Sequence, residues 1–231
     1  MKKLLIISLI FNSIIVISIV YISLTWREYI QSFAKEFGLI HYQQKATMFE
    51  IMPVRDGSII FLGNSITDGA HWSELFGNPN IINRGIGGDI TEGVLNRINE
   101  IVRHKPSKLF IAIGTNDIAQ EIPTKKIIEN YLAIVENVRA SSPITKIYIQ
   151  SILPVAIPPG SIFPYNNKGV LELNQELRKI CTELDIPYLD LHPYFADETG
   201  KLRSDLTNDN LHLLGPGYLL WKDLIQDYVS E

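Results

Sequence analysis

From residue 58 onward, short and continuously apolar runs alternate with longer amphipathic stretches, and few folds accept that pattern. The runs cover residues 58–62, 81–82, 109–113, 147–152 and 188–191. Helical spacing of apolar residues fills the intervals at about 91–104, 124–140, 168–184 and 216–229. A strand that is apolar at every position, rather than at alternate ones, is buried on both faces, which is the condition of a parallel sheet covered by helices. Strand–helix alternation therefore predicts an α/β, three-layer α/β/α sandwich with a five-stranded parallel sheet and right-handed crossovers. The flavodoxin-like strand order 2-1-3-4-5 is the common solution for five such strands. Helix boundaries agree with it: Thr91 stands where a cap is needed, Pro123-Thr124 opens one helix, and Ser142-Pro143 closes it.

The chain ahead of this region is different in kind. Residues 4–26 carry no charge, with Lys2 and Lys3 before them and Arg27 and Glu28 after. About 20 apolar residues in a helix span a bilayer core, so the reading is an N-terminal transmembrane helix. The leading lysines favour a cytoplasmic N-terminus with the remainder outside, periplasmic or extracellular. The alternative is secretion after signal cleavage, but no small-residue cleavage pattern follows the segment. The expected organisation is a signal-anchor at 1–26, a helical stalk at 27–56 packing onto the domain, and the α/β domain at 57–231. Gly38 is expected to divide the stalk into two helices. The net charge of −4 comes without a basic stripe or Lys/Arg run, which excludes nucleic acid as a partner. The lone Cys181 rules out an internal disulfide and falls on an apolar helical position, so it reads as core.

Ligands of doubly wound sheets bind outside the carboxyl ends of the strands, and four segments there carry chemistry. Gly63-Asn64-Ser65 is a tight strand-to-helix turn that presents a serine with backbone donors beside it. By itself such a serine is as easily a helix cap, and an alcohol becomes a nucleophile only when a base takes its proton. Asn83-Arg84-Gly85-Ile86-Gly87-Gly88-Asp89 is glycine-rich, but its third glycine comes too early for a dinucleotide loop, so no cofactor is expected. It reads instead as backbone approaching a ligand, with Gly88 offering its N–H. Gly114-Thr115-Asn116-Asp117 offers an amide able to meet an oxyanion, or else a turn cap. Asp209 and His212, three apart, can share one cleft as acid and base. Among the other histidines, His41 and His104 read as solvent-facing, His71 as a pocket neighbour, and His192 as the competing base. No His/Cys cluster has metal-ligand spacing, so no metal is expected.

Taken together and in this order, the four segments resemble those of the SGNH/GDSL hydrolase family over about residues 57–229. The subgroup most similar is that of platelet-activating-factor acetylhydrolase subunits, judged from Asn83 to Asp89. The resemblance implies ester hydrolysis without a cofactor, with Ser65, Asp209 and His212 as catalytic residues. It also implies an oxyanion hole made by Ser65, Gly88 and Asn116. The sequence departs from the family in reading Gly-Asn-Ser where the first block usually reads Gly-Asp-Ser. Loops at about 70–80 and 154–167 are expected to shape the substrate pocket, with Asn64, His71, Trp72, Phe76 and Phe163 as lining residues. They contain no long apolar run, which favours a short acyl group, such as acetyl on a small molecule or glycan. A lysophospholipase or thioesterase, and a non-catalytic tethered binding domain, are the competing readings.

Overall fold

The computed structural model describes residues 2–231, which form two compact units, one ending at Leu39 and the other spanning Ile40–Glu231. In chain order the elements begin with α1 (Lys2–Ile51), β1 (Ile59–Gly63), α2 (Ser65–Asp68), α3 (Trp72–Leu75) and β2 (Ile81–Gly85). Next come α4 (Thr91–Asn96), α5 (Ile98–Val102), β3 (Lys108–Ala112), α6 (Thr115–Ala119) and α7 (Thr124–Ser141). The chain finishes with β4 (Lys146–Gln150), α8 (Asn167–Glu183), β5 (Tyr188–Leu189), α9 (His192–Phe195) and α10 (Gly215–Ser230).

The five strands are all parallel, as their apolar runs predicted, and lie in the order β2-β1-β3-β4-β5, the common solution for five such strands. Side chains alternate between the two faces of each strand, and both faces are covered. Ile60, Leu62, Leu109, Ile111, Ile147 and Ile149 pack under the layer that contains α7 and α8. The opposite face carries an aromatic row, with Phe61 stacked on Phe110 at 4.9 Å and Phe110 on Tyr148 at 4.6 Å. Trp72 stacks on Phe61 at 4.3 Å, and Trp221 of α10 meets Trp72 edge-on at 5.1 Å.

α1 is one helix of 50 residues, continuous through Gly38, where a break into two helices was expected. A single glycine costs a helix interior about 1 kcal/mol, too little to divide a helix with good helix-forming residues on both sides. It is long and apolar enough to cross a membrane, as an anchor or a signal sequence would be. Ile7, Ile10, Phe11, Ile14 and Val20 stand exposed along it. Within the second unit, residues 40–51 are bound to the α/β layers. Ala46 and Phe49 bury against Ile86, the Tyr42 hydroxyl donates to Gly93 O at 2.8 Å, and Lys45 pairs with Asp68 at 2.8 Å.

Two further local expectations are corrected. The helix predicted at 91–104 is two helices, because Arg97 leaves the helical conformation with φ −109° and ψ 15°. His104 is fully buried rather than solvent-facing. Its Nε2 lies 3.0 Å from Glu100, which also holds the buried Arg84 guanidinium at 3.1 Å. Burial lowers the His104 pKa against the pull of Glu100.

Candidate active site

β1 ends at Gly63, and Asn64 caps the short helix that follows, its Oδ1 accepting from Ile66 N at 3.0 Å. Capping holds Ser65 at the mouth of the turn, half-buried at the carboxyl edge of the sheet. The Asn83 amide fastens the next turn by donating to the carbonyls of Thr67, Asp68 and Ala70. β2 must run close beneath: a Cβ on Gly85 would stand 2.2 Å from Asp68 N, so only glycine fits there.

From the far end of the domain, the loop between α9 and α10 brings Asp209 and His212 to the same edge. His212 Nδ1 lies 2.6 Å from Asp209 Oδ2, and His212 Nε2 lies 2.9 Å from Ser65 Oγ. A carboxylate only accepts hydrogen bonds, so Nδ1 carries the proton and Nε2 is the acceptor for the serine hydroxyl. Burial would raise the Asp209 carboxyl. Hydrogen bonds from the His212 ring and from the N–H groups of His212 and Leu211 outweigh it and hold the pKa at about 2. Asp209 is therefore an anion at any working pH. His192, the competing histidine, is turned elsewhere: its backbone N–H donates to Ser151 Oγ and its Nε2 is buried.

Gly88 and Asn116 follow the carboxyl ends of β2 and β3. Gly88 has φ +78°, a left-handed conformation that side chains resist, and it is exposed. The loop that carries it is pinned by Asp89, whose carboxylate is held by Arg97 at 2.8 and 3.0 Å. Both side chains of this pair are almost wholly buried. Asn116 Nδ2 donates to Asp89 O at 2.9 Å, joining the third segment to the second. Next to it, Asp117 accepts from Thr91 N at 3.1 Å and from Thr91 Oγ1 at 2.5 Å, so it caps α4 from across the cleft. Loop 154–167 covers this side. Tyr165 places its hydroxyl 3.1 Å from Asn116 Oδ1, and burial and the Asp209 charge both raise its pKa.

Burial pushes the Asp117 carboxyl up to about 6, against the Thr91 hydrogen bonds that favour its charged form. Folding thus favours the protonated group. Its contribution to stability is complete below the unfolded carboxylate range and is lost as pH rises through about 6. In thermal denaturation, the Tm of the wild type should fall relative to that of Asp117→Asn between about pH 4 and about pH 6, and the difference should level off above that. Equal slopes would show that the carboxyl is ionised in the fold with no penalty.

The expected pocket residues separate. Asn64 is buried in the turn, where it acts as a cap. Trp72 does not line a pocket: it is 1% exposed in the aromatic layer and its Nε1 donates to Thr67 O. Phe76 packs partly buried against that layer. His71 is exposed, 3.6 Å from Glu74. Phe163 is half-buried and meets Tyr165 edge-on at 6.3 Å. Tyr165 and the Asp89–Arg97 pair went unread in the sequence. Proline-rich loops lack periodicity, although the acid closing the glycine-rich segment was a visible signal for a buried partner. Among the described residues, no group of His, Cys, Asp and Glu has the arrangement to hold a metal.

Comparison with known proteins supplies the family. The platelet-activating factor acetylhydrolase IB subunit alpha2 of Rattus norvegicus is 29% identical over 170 residues, covering 71% of this chain and 72% of its own. A solved protein from Streptococcus pneumonia superposes with a TM-score of 0.77 at 27% identity, covering 86% of this chain and 97% of its own. A GDSL-like lipase from Bacteroides thetaiotaomicron gives a TM-score of 0.71 at 25% identity, covering 82% and 97%. The model of the GDSL-like Lipase/Acylhydrolase family matches residues 61–220. The chain belongs to that family and is a carboxylic ester hydrolase.

Proposed function

We propose that this protein is a serine esterase that removes short acyl groups, acetyl foremost, from small-molecule or glycan esters. The observation that carries the reading is the unbroken hydrogen-bond chain Asp209–His212–Ser65, with links of 2.6 and 2.9 Å. In the proposed reaction Ser65 Oγ attacks the ester carbonyl as His212 Nε2 takes its proton, and Asp209 stabilises the imidazolium. The N–H groups of Ser65 and Gly88 and the Asn116 amide receive the oxyanion. His212 then protonates the departing alcohol, and water repeats the sequence on the acyl-enzyme.

Two observations favour a short acyl group. The loops at about 70–80 and 154–167 contain no long apolar run to hold a fatty chain. The rat relative is by name an acetylhydrolase. We further propose that α1 tethers the enzyme to a membrane with the catalytic domain outside the cytoplasm, supported by Lys2 and Lys3 ahead of the apolar segment.

Hydrolysis of p-nitrophenyl esters from C2 to C16 tests the substrate class. The kcat/KM should peak at C2 to C4 and decline with length. A maximum at C12 or beyond would instead identify a lysophospholipase or thioesterase type. A fluorophosphonate probe should label Ser65 covalently, and an unlabelled protein would mean a binding domain that has kept the fold.

A further inference from the structure

Tyr165 lies outside the four segments that carry the proposed chemistry, yet its hydroxyl reaches the side chain of Asn116. The contact is not incidental to a mobile loop. Asn167 pins the base of the loop by accepting from Val155 N at 2.8 Å and donating to Val155 O at 2.7 Å. Ala156 N donates to Asn210 O at 2.8 Å, tying the same loop to the segment that bears Asp209 and His212. Phe163 supports the Tyr165 ring edge-on.

The amide orientation follows from its neighbours. Asp89 O can only accept, so the group facing it must be Nδ2, and Oδ1 faces the tyrosine hydroxyl. Nδ2 has two hydrogens; one goes to Asp89 O, leaving the other for an oxyanion in the cleft. A hydroxyl donating to Oδ1 draws electron density toward that oxygen and makes the remaining Nδ2–H the stronger donor. It also fixes the side chain at both ends, so no reorganisation is needed when charge develops.

We propose that Tyr165 is the positioning residue of the oxyanion donor, orienting and polarising the Asn116 amide through its hydroxyl. The proposal rests on the reading of Asn116 as that donor. Tyr165 touches the amide rather than the ester, so its effect belongs to the transition state and not to substrate affinity.

The test is a double-mutant cycle in the full chain, with kcat and KM measured on p-nitrophenyl acetate. Tyr165→Phe keeps the ring and should lower kcat about fivefold with KM changed less than about twofold and Tm unaltered. Asn116→Ala should lower kcat about 10²- to 10³-fold. In the Asn116→Ala background, Tyr165→Phe should have no further effect, because the group it acts on is gone. An unchanged kcat in Tyr165→Phe, or the same fivefold loss in both backgrounds, overturns the proposal while leaving Asn116 as the donor. If Asn116→Ala itself turns over at the wild-type rate, the reading of the oxyanion hole falls and this inference with it.

Discussion

Ser65→Ala will lower kcat for p-nitrophenyl acetate by about six orders of magnitude, the loss seen when a triad serine is removed alone. The reason is not a weakened contact but a missing reactant. The variant keeps the His212–Asp209 pair, its 2.6 Å hydrogen bond and the donors around Asn116, yet no oxygen remains to form the acyl-enzyme. What survives is the residual advantage of binding and oxyanion stabilisation, about 10³- to 10⁴-fold over water. The fold should not notice the change. Ser65 is half-buried and the Asn64 cap bonds to Ile66 N, so thermal denaturation should match wild type. Turnover near the wild-type rate would remove Ser65 from the reaction altogether.

The largest effect on stability is expected from Arg97→Ala. Asp89 is buried, and burial raises its carboxyl while Arg97 opposes that rise. Removing one member of a buried pair strands the other, typically at a loss of about 3–5 kcal/mol. Arg97 Nη2 also donates to Arg84 O at 2.9 Å, so the end of β2 is loosened as well. Chemical denaturation should therefore show a lower midpoint with an unchanged m-value. Activity should suffer in the molecules that remain folded, since Asp89 O is what holds Asn116 Nδ2. A variant as stable as wild type would mean that the carboxyl is readily neutralised where it lies.

The sheet was legible because each strand is apolar at successive positions, a pattern that only two-sided burial explains. Strand order rests on analogy with the common arrangement of five such strands, and the structure agrees. Ser65, Asp209 and His212 could be named from sequence because four segments, each ambiguous alone, occur together and in order, and the structure brings the three into hydrogen-bond reach. The failures at His104 and Trp72 share one cause. A single sequence does not show which distant group completes an environment. His104 at a helix end looked solvated because Arg84 and Glu100 were not visible as its neighbours. Trp72, just after the Ser65 turn, fits a pocket wall or a core layer equally well until Phe61 and Trp221 are placed beside it. Gly38 suggested a break because propensity is local, whereas helix propagation is cooperative.

The separation of Ser65 and His212 by 147 residues has a consequence for how the enzyme comes into being. Chains emerge from the ribosome amino end first, at about 5–20 residues per second, so the serine is made roughly 7–30 s before its partner histidine. Under the proposed mechanism, the nascent chain throughout that interval holds an alcohol with no base to activate it. His212 arrives with the segment just ahead of α10, whose Trp221 must dock on Trp72 to close the aromatic layer. If His212 is the base, as proposed, reactivity is the last property the molecule acquires, and a chain that terminates ahead of His212 is born inert.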